Sequence, residues 1–154
     1  MAAAGSLTVT SKAFDANGAI PIDNTCDGAD RSPPLTWSAP PPGTKSLAIE
    51  AHDPDAPSGD FTHWIVYNLR PDTVAVPEAV DPGALDGATG VNSFNRTGYA
   101  GPCPPRLELH RYVFRVFALD THLDPTSIST REALDAAMSG HVLALGTLVG
   151  TFSH

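Results

Sequence analysis

The sequence predicts a mainly β protein, two antiparallel sheets packed as a sandwich, with one or two short helices, one of them near the C-terminus. Three observations predict it. Fifteen prolines and thirteen glycines among 154 residues cut the chain into pieces too short for long helices, because proline removes an amide donor and glycine costs backbone entropy. Several of those pieces are rich in β-formers or alternate apolar with polar residues. Only one stretch has helical spacing together with a start and a stop signal.

In chain order, the strand candidates are Leu7-Thr8-Val9, Ser46 to Ala51, His63 to Leu69 and Tyr112 to Leu119. Pro40-Pro41-Pro42-Gly43 reads as a turn between strands. In the Tyr112 run, Tyr112, Phe114, Val116 and Ala118 share one face, and Val113, Arg115, Phe117 and Leu119 share the other. Apolar groups on both faces predict a central strand covered on both sides. The helix follows, with Ser129 as its cap, Glu132 at the reciprocal capping position and Gly140 as its stop. Leu134, Ala137 and Met138 form its buried stripe. Val142 to Phe152 then returns as one strand, or as two interrupted by Gly146 and Gly150. No repeat, linker or low-complexity tract divides the chain, so residues 1–154 are expected to form a single domain, with about residues 1–5 as a disordered tail.

Composition narrows the function classes. Hydrophobic residues at 42% with 17% charged are ordinary for a globular chain, and this length buries about two-thirds of the unfolded surface. Nine basic against seventeen acidic residues give a net charge of -8. Lysine occurs only at Lys12 and Lys45, so nothing offsets repulsion from phosphate backbones and nucleic-acid binding is not expected. Met1 to Gly5 lacks the positive start and apolar run of a signal peptide, and no stretch approaches a membrane span. A cytoplasmic location is therefore expected. Cys26 and Cys103 are too few for a disulfide framework, and a reducing compartment keeps them as thiols.

The chemistry concentrates in two blocks. Asp53-Pro54-Asp55-Ala56-Pro57 leads to His63-Trp64, and Gly101-Pro102-Cys103-Pro104-Pro105 leads to His110-Arg111-Tyr112. Prolines hold their neighbours still, which suits a small polar pocket. Asp53 and Asp55, two residues apart at a strand end, are expected to project to one side at roughly 6–7 Å between Cα atoms. His110 and Tyr112 share a face by the same spacing, while His52 points away from Asp53. In the Gly101 to Pro105 segment only Gly101 and Cys103 carry amide N–H groups, and a fixed amide there offers an anion nest. The plainer reading of every one of these features is turn punctuation and a satisfied structural histidine. Two histidines and two carboxylates could in principle ligate zinc or iron, but no HxH, HxxxH or cysteine pair marks a site, so neither metal nor cofactor is expected. No nucleophile elbow and no glycine-rich phosphate loop is present.

These blocks, with Thr25-Cys26-Asp27-Gly28, Ser32-Pro33-Pro34-Leu35-Thr36-Trp37, Gly98 to Pro105 and Gly140-His141-Val142-Leu143-Ala144, resemble the phosphatidylethanolamine-binding protein family. This family is also known as Raf kinase inhibitor-like, and the likeness is to its short bacterial branch. The resemblance implies a β-sandwich and a cavity for phosphate or phosphorylated head groups. That cavity would be lined here by Asp53, Asp55, His63, Cys103, Pro104, His110 and Tyr112, with Gly101 and Pro102 in the same wall. It also implies regulation of a kinase or inhibition of a protease as an alternative, and a homodimer.

The chain departs from the family's pattern where relatives carry glycine. Arg106-Leu107-Glu108-Leu109 has none, and Asn95 stands where glycine is common. Leu107 and Leu109 are expected to narrow the pocket or to favour an apolar small molecule. A third reading is a cofactor-independent isomerase, dehydratase or cyclase working through Asp53, Asp55, His63 and His110. The leading expectation is binding of a small anionic ligand, not catalysis.

Overall fold

The computed structural model describes residues 5–154. Residues 1–4 of the expected tail lie outside the described residues, whereas Gly5 already belongs to a strand. Nine strands form two sheets: β1 (Gly5–Ser6), β2 (Val9–Thr10), β3 (Leu35–Trp37), β4 (Ser46–Asp53), β5 (Phe61–Leu69), β6 (Ala75–Val76), β7 (Ala88–Thr89), β8 (His110–Leu119) and β9 (Val142–Phe152). One sheet has the order β1-β9-β8-β4-β5-β7 and the other β2-β3-β6. All described pairings between strands are antiparallel except β1 with β9, which run parallel. Among the described residues there is one α-helix, α1 (Arg131–Met138), near the C-terminus, and three short 3₁₀ turns punctuate the loops. The mainly β two-sheet architecture is the one the punctuation and alternation predict.

The alternation of apolar residues in β8 sorts onto two cores as expected. Tyr112, Phe114, Val116 and Ala118 join Leu47, Ile49, Trp64 and Val66 in the core between the sheets, against Leu35, Trp37 and Val76. Phe117 and Leu119 face the other way, with Ala48, Ile65 and Tyr67, onto Leu134 and Met138 of α1. The larger sheet is thus covered on both faces, and every residue of β4 is buried. Trp37 brings its ring into the core because its indole N–H reaches Thr73 O at 2.9 Å.

Three local expectations change. Leu7-Thr8-Val9 is not one strand: Gly5–Ser6 pairs with β9 and Val9–Thr10 with β3, so the chain crosses between sheets over Leu7 and Thr8. That crossing explains Gly146, where a Cβ would stand 2.4 Å from Leu7 O and 2.6 Å from Val9 Cγ2. β9 itself is continuous through both glycines. The helix cap is Thr130, whose hydroxyl accepts from Ala133 N at 3.2 Å, not Ser129. The Ser129 carbonyl is engaged instead by Val91 N at 2.7 Å. Gly140 takes the left-handed φ of 83° that ends the helix.

Candidate ligand site

Strand ends converge on one side of the larger sheet. Asp53 closes β4 opposite Phe61 of β5, His63 follows two residues later, and His110 opens β8 with Tyr112 two residues on. Together with Cys103 and Pro104 they line a cavity of about 140 Å³. Ala56, Pro57, Ser58, Phe61, Phe94 and Pro105 complete its wall. The rings of Phe61 and Phe94 meet edge to face at 4.7 Å, and His63 packs against Tyr112 at 5.4 Å.

Hydrogen bonds assign the protonation states. His63 Nδ1 contacts Ala100 O, an atom that can only accept, so Nδ1 carries the proton and Nε2 its lone pair. Burial lowers the His63 pKa, outweighing the Ala100 carbonyl and Asp53, and the ring stays neutral. His110 differs. Its Nδ1 lies 2.6 Å from Asp53 Oδ2 and its Nε2 lies 2.8 Å from Glu108 Oε1. Burial opposes charge on this ring, but the hydrogen bonds it donates to Glu108 and Asp53 raise its pKa. His110 stands as an imidazolium between two carboxylates. The Tyr112 hydroxyl is buried without a partner, and burial, then Asp53 and Asp55, push its pKa upward. The site therefore offers an acceptor at His63 Nε2, a donor at Tyr112 Oη, and a second donor at His110 Nε2 once Glu108 moves aside.

Asp55, Gly101 and Pro102 were expected at the pocket and lie outside its lining. Strand geometry stops at Asp53, whose Oδ1 accepts from Asp55 N at 2.7 Å and turns the chain. Asp55 instead faces Arg111, which reaches its two oxygens at 2.8 and 2.9 Å and holds its carboxyl down at about 2. The Gly101 amide is not free for an anion, since it donates to Asp30 Oδ1 at 2.8 Å. The Pro102 carbonyl accepts from Cys26 N at 3.1 Å.

The thiol expectation is overturned as well: Cys26 and Cys103 form a disulfide across 77 residues, their Cα atoms 5.5 Å apart. The Cys26–Pro102 hydrogen bond holds the two loops at that separation. Leu107 and Leu109 do not narrow the cavity either; they are 97% and 67% exposed. Glu108, between them, also lies outside the lining and touches the site only through its carboxylate on His110 Nε2.

Glu108 and Phe61 were missed, and a signal for both was present. Each stands two residues before a histidine, and in extended chain i and i+2 share a face. The two departures from glycine also acquire a meaning, because Leu107 and Asn95 both adopt left-handed φ, 68° and 60°. Those are backbone positions where glycine costs nothing.

A family model described as phosphatidylethanolamine-binding protein matches residues 10–153. A UPF0098 protein of Methanothermobacter thermautotrophicus is 45% identical over 95% of this chain and 98% of its own length. One from Chlamydia muridarum is 40% identical, again over 95% and 98% of the two chains. Among solved structures, a Chlamydia trachomatis protein described as a homologue of phosphatidylethanolamine-binding protein superposes with a TM-score of 0.89. It is 37% identical, with 98% of this chain and 99% of that one covered. Escherichia coli YbcL, described as a member of the mammalian family, gives a TM-score of 0.88 at 28% identity, with 97% and 99% covered.

Proposed function

The chain belongs to the phosphatidylethanolamine-binding protein family, and on that premise we propose that it is a single-domain protein that binds a small anionic group, phosphate or a phosphate ester. The binding set is His63, His110 and Tyr112, with Asp53 orienting His110. The observation that carries this reading is the Glu108 carboxylate resting on His110 Nε2 at 2.8 Å. It is an anion of the chain's own, 48% exposed and free to swing away. A ligand oxygen takes its place on the imidazolium and a second oxygen accepts from the orphaned Tyr112 hydroxyl. A protonated P–OH donates to His63 Nε2. One acceptor and two donors suit a monoprotonated phosphate better than a sulfate, which has no proton to give.

Titration with inorganic phosphate, phosphoethanolamine and a small apolar carbonyl compound, followed on the His63 and His110 ring signals by NMR, tests the reading. Saturable shifts with both phosphates support it. Silence toward them, with shifts from the carbonyl compound, overturns it in favour of acid–base chemistry, for which neutral His63 beside charged His110 is the available pair.

Docking on a partner, whether a protein target or a second copy, draws support from one observation. Leu107 and Leu109 stand exposed on either side of Glu108. Sedimentation velocity tests the homodimer, and a monomer throughout the micromolar range counts against it. A cytoplasmic setting belongs to the proposal too, and no helix among the described residues is long and apolar enough to cross a membrane. In that compartment the exposed Cys26–Cys103 bridge meets cellular reductants. Rapid alkylation of thiols on lysis reads its state in place, and a fully bridged population counts against the cytoplasm.

A further inference from the structure

We propose that Cys26 and Cys103, once reduced, form with His154 a binding site for zinc, so that a metal cross-link replaces the covalent one. Among the described residues these three are the one trio of histidine, cysteine and acidic side chains whose donor atoms all lie within 4.8 Å of one another. Tetrahedral zinc with bonds of about 2.0 Å to nitrogen and 2.3 Å to sulfur sets these donors roughly 3.5–3.8 Å apart. Small side-chain rotations therefore suffice once the two sulfurs part. All three residues are exposed, so an ion reaches them from solvent.

The imidazole is already held in place. Strand β9 ends at Phe152, opposite His110, and this carries His154 over the bridge. The Phe152 ring packs edge-on against His154 at 5.7 Å. Both oxygens of Asp27 lie within 3.0 Å of His154 Nδ1. A proton on Nδ1 shared with Asp27 leaves the Nε2 lone pair for the ion. That is the carboxylate–histidine–metal arrangement in which an outer carboxylate orients the ring and raises its basicity. Two thiolates and an imidazole favour zinc over hard cations, and water takes the fourth position.

The chemistry closes with a dithiol as reductant. The dithiol gives up two electrons and two protons and becomes a disulfide, while the Cys26–Cys103 bond breaks into two thiols. Zinc binding then releases both protons as the thiols become thiolates. Because Cys103 belongs to the cavity wall, the exchange keeps that wall tied to the Cys26 loop in either redox state. The zinc site uses none of His63, His110 or Tyr112, so it stands or falls apart from the anion reading.

The test uses the full chain, reduced with dithiothreitol, desalted without oxygen, and titrated with Zn²⁺ against a chromophoric chelator. Co²⁺ serves as the spectroscopic probe. The expected result is one ion per reduced chain, with thiolate-to-cobalt charge-transfer absorption and the visible bands of tetrahedral cobalt, and no binding to the bridged form at the same concentration. His154→Ala is the deciding variant, because it leaves both cysteines and their bridge intact. It should weaken the affinity by roughly 10-fold or more, and Asp27→Asn by about 10-fold. Unchanged His63 and His110 ring signals in the ligand-free protein verify that either variant is folded. The proposal is overturned if the reduced chain fails to bind stoichiometrically, if the bridged chain binds equally, or if His154→Ala binds as tightly as the parent.

Discussion

Two clusters of buried ionisable groups flank the same strands, and they are closed in opposite ways. At the cavity, Asp53, His63, His110 and Tyr112 lie under loops of proline and under phenylalanine rings. On the helix side, Glu50 and His52 of β4 and Arg115 of β8 lie under α1, which sends in Arg131 and Asp135. Arg131 Nε stands 3.3 Å from Glu50 Oε1, and its Nη1 donates to Asp60 at 2.9 Å. His52 Nδ1 meets Asp60 at 2.7 Å. Burial, then the hydrogen bond and charge of Asp135, push Glu50 up to about 9, so it carries a proton at neutral pH. Glu50 Oε2 and Asp135 Oδ1 are both buried and without a donor among the described residues, and one proton between them satisfies both. Perturbed histidines occur in both clusters, so they do not by themselves mark a site. The cover decides. A helix has long polar side chains to fill the space beneath it, whereas proline rings have none and leave room for a ligand.

If the helix-side cluster is a brace and the other a receptor, their variants separate cleanly. Arg131→Ala leaves Glu50, Asp60 and Asp135 together without their cation and should cost about 3–5 kcal/mol in urea unfolding. The phosphate shifts of the folded fraction should not change, and a change in both would break the comparison by coupling the clusters across the sheet. Glu50 sharpens it through pH. The native chain keeps a proton that the unfolded chain releases above about 4.5, so this group's contribution to stability declines as pH rises from 4.5 toward 9. Against Glu50→Gln, the parent should lose about 3 kcal/mol between pH 4.5 and 7, and parallel stability curves for the two would refute the raised value.

On the cavity side, His110→Ala strands buried Asp53 and should cost about 2 kcal/mol, with loss of phosphate binding in the same sample. In the parent, phosphate affinity should fall as pH rises above 6.5 through the raised value of His110, where the imidazolium gives up its proton. Glu108→Gln removes the internal competitor from a half-exposed pair, and near pH 6 it should raise phosphate affinity about fivefold while shifting stability by less than about 1 kcal/mol. Weaker binding in that variant would make Glu108 a ligand-side partner instead of a plug. The smallest effect belongs to Leu107→Gly. Relief of a left-handed leucine, worth roughly 1–2 kcal/mol, is offset in part by the entropy of glycine. A net gain of about 0.5 kcal/mol, read as a small rise in Tm, is expected, with phosphate affinity untouched.

The parts of the molecule legible in the sequence are those written in local periodicity. Tyr112 to Leu119 shows both of its faces in its own spelling, and His110 and Tyr112 reach the cavity from a strand whose alternation is plain, whereas His63 reaches it beside a register shift of β5 against β4 that alternation alone does not show. What stayed hidden depends on contacts between distant loops. The Cys26–Cys103 bridge joins segments 77 residues apart, and nothing local distinguishes such a pair from two thiols. Asp55 misled because the same-face rule was carried one step beyond the end of its strand. Glu108 differs: its place two residues before His110 was legible, but a charged residue in a proline-flanked loop also reads as solvated surface.

The outer edges of the larger sheet carry a last consequence. β1 and β7 are two residues each, yet the long strands inside them are not left bare. Amides of Leu7, Asn17 and Ile20 bond to carbonyls of β9, and those of Gly90, Ser93 and Ala100 bond to carbonyls of β5. A neighbouring chain finds few free rungs on which to extend the ladder, which guards against edge-to-edge aggregation. Along these two edges association must therefore run through side chains, which disfavours edge-to-edge extension of the larger sheet.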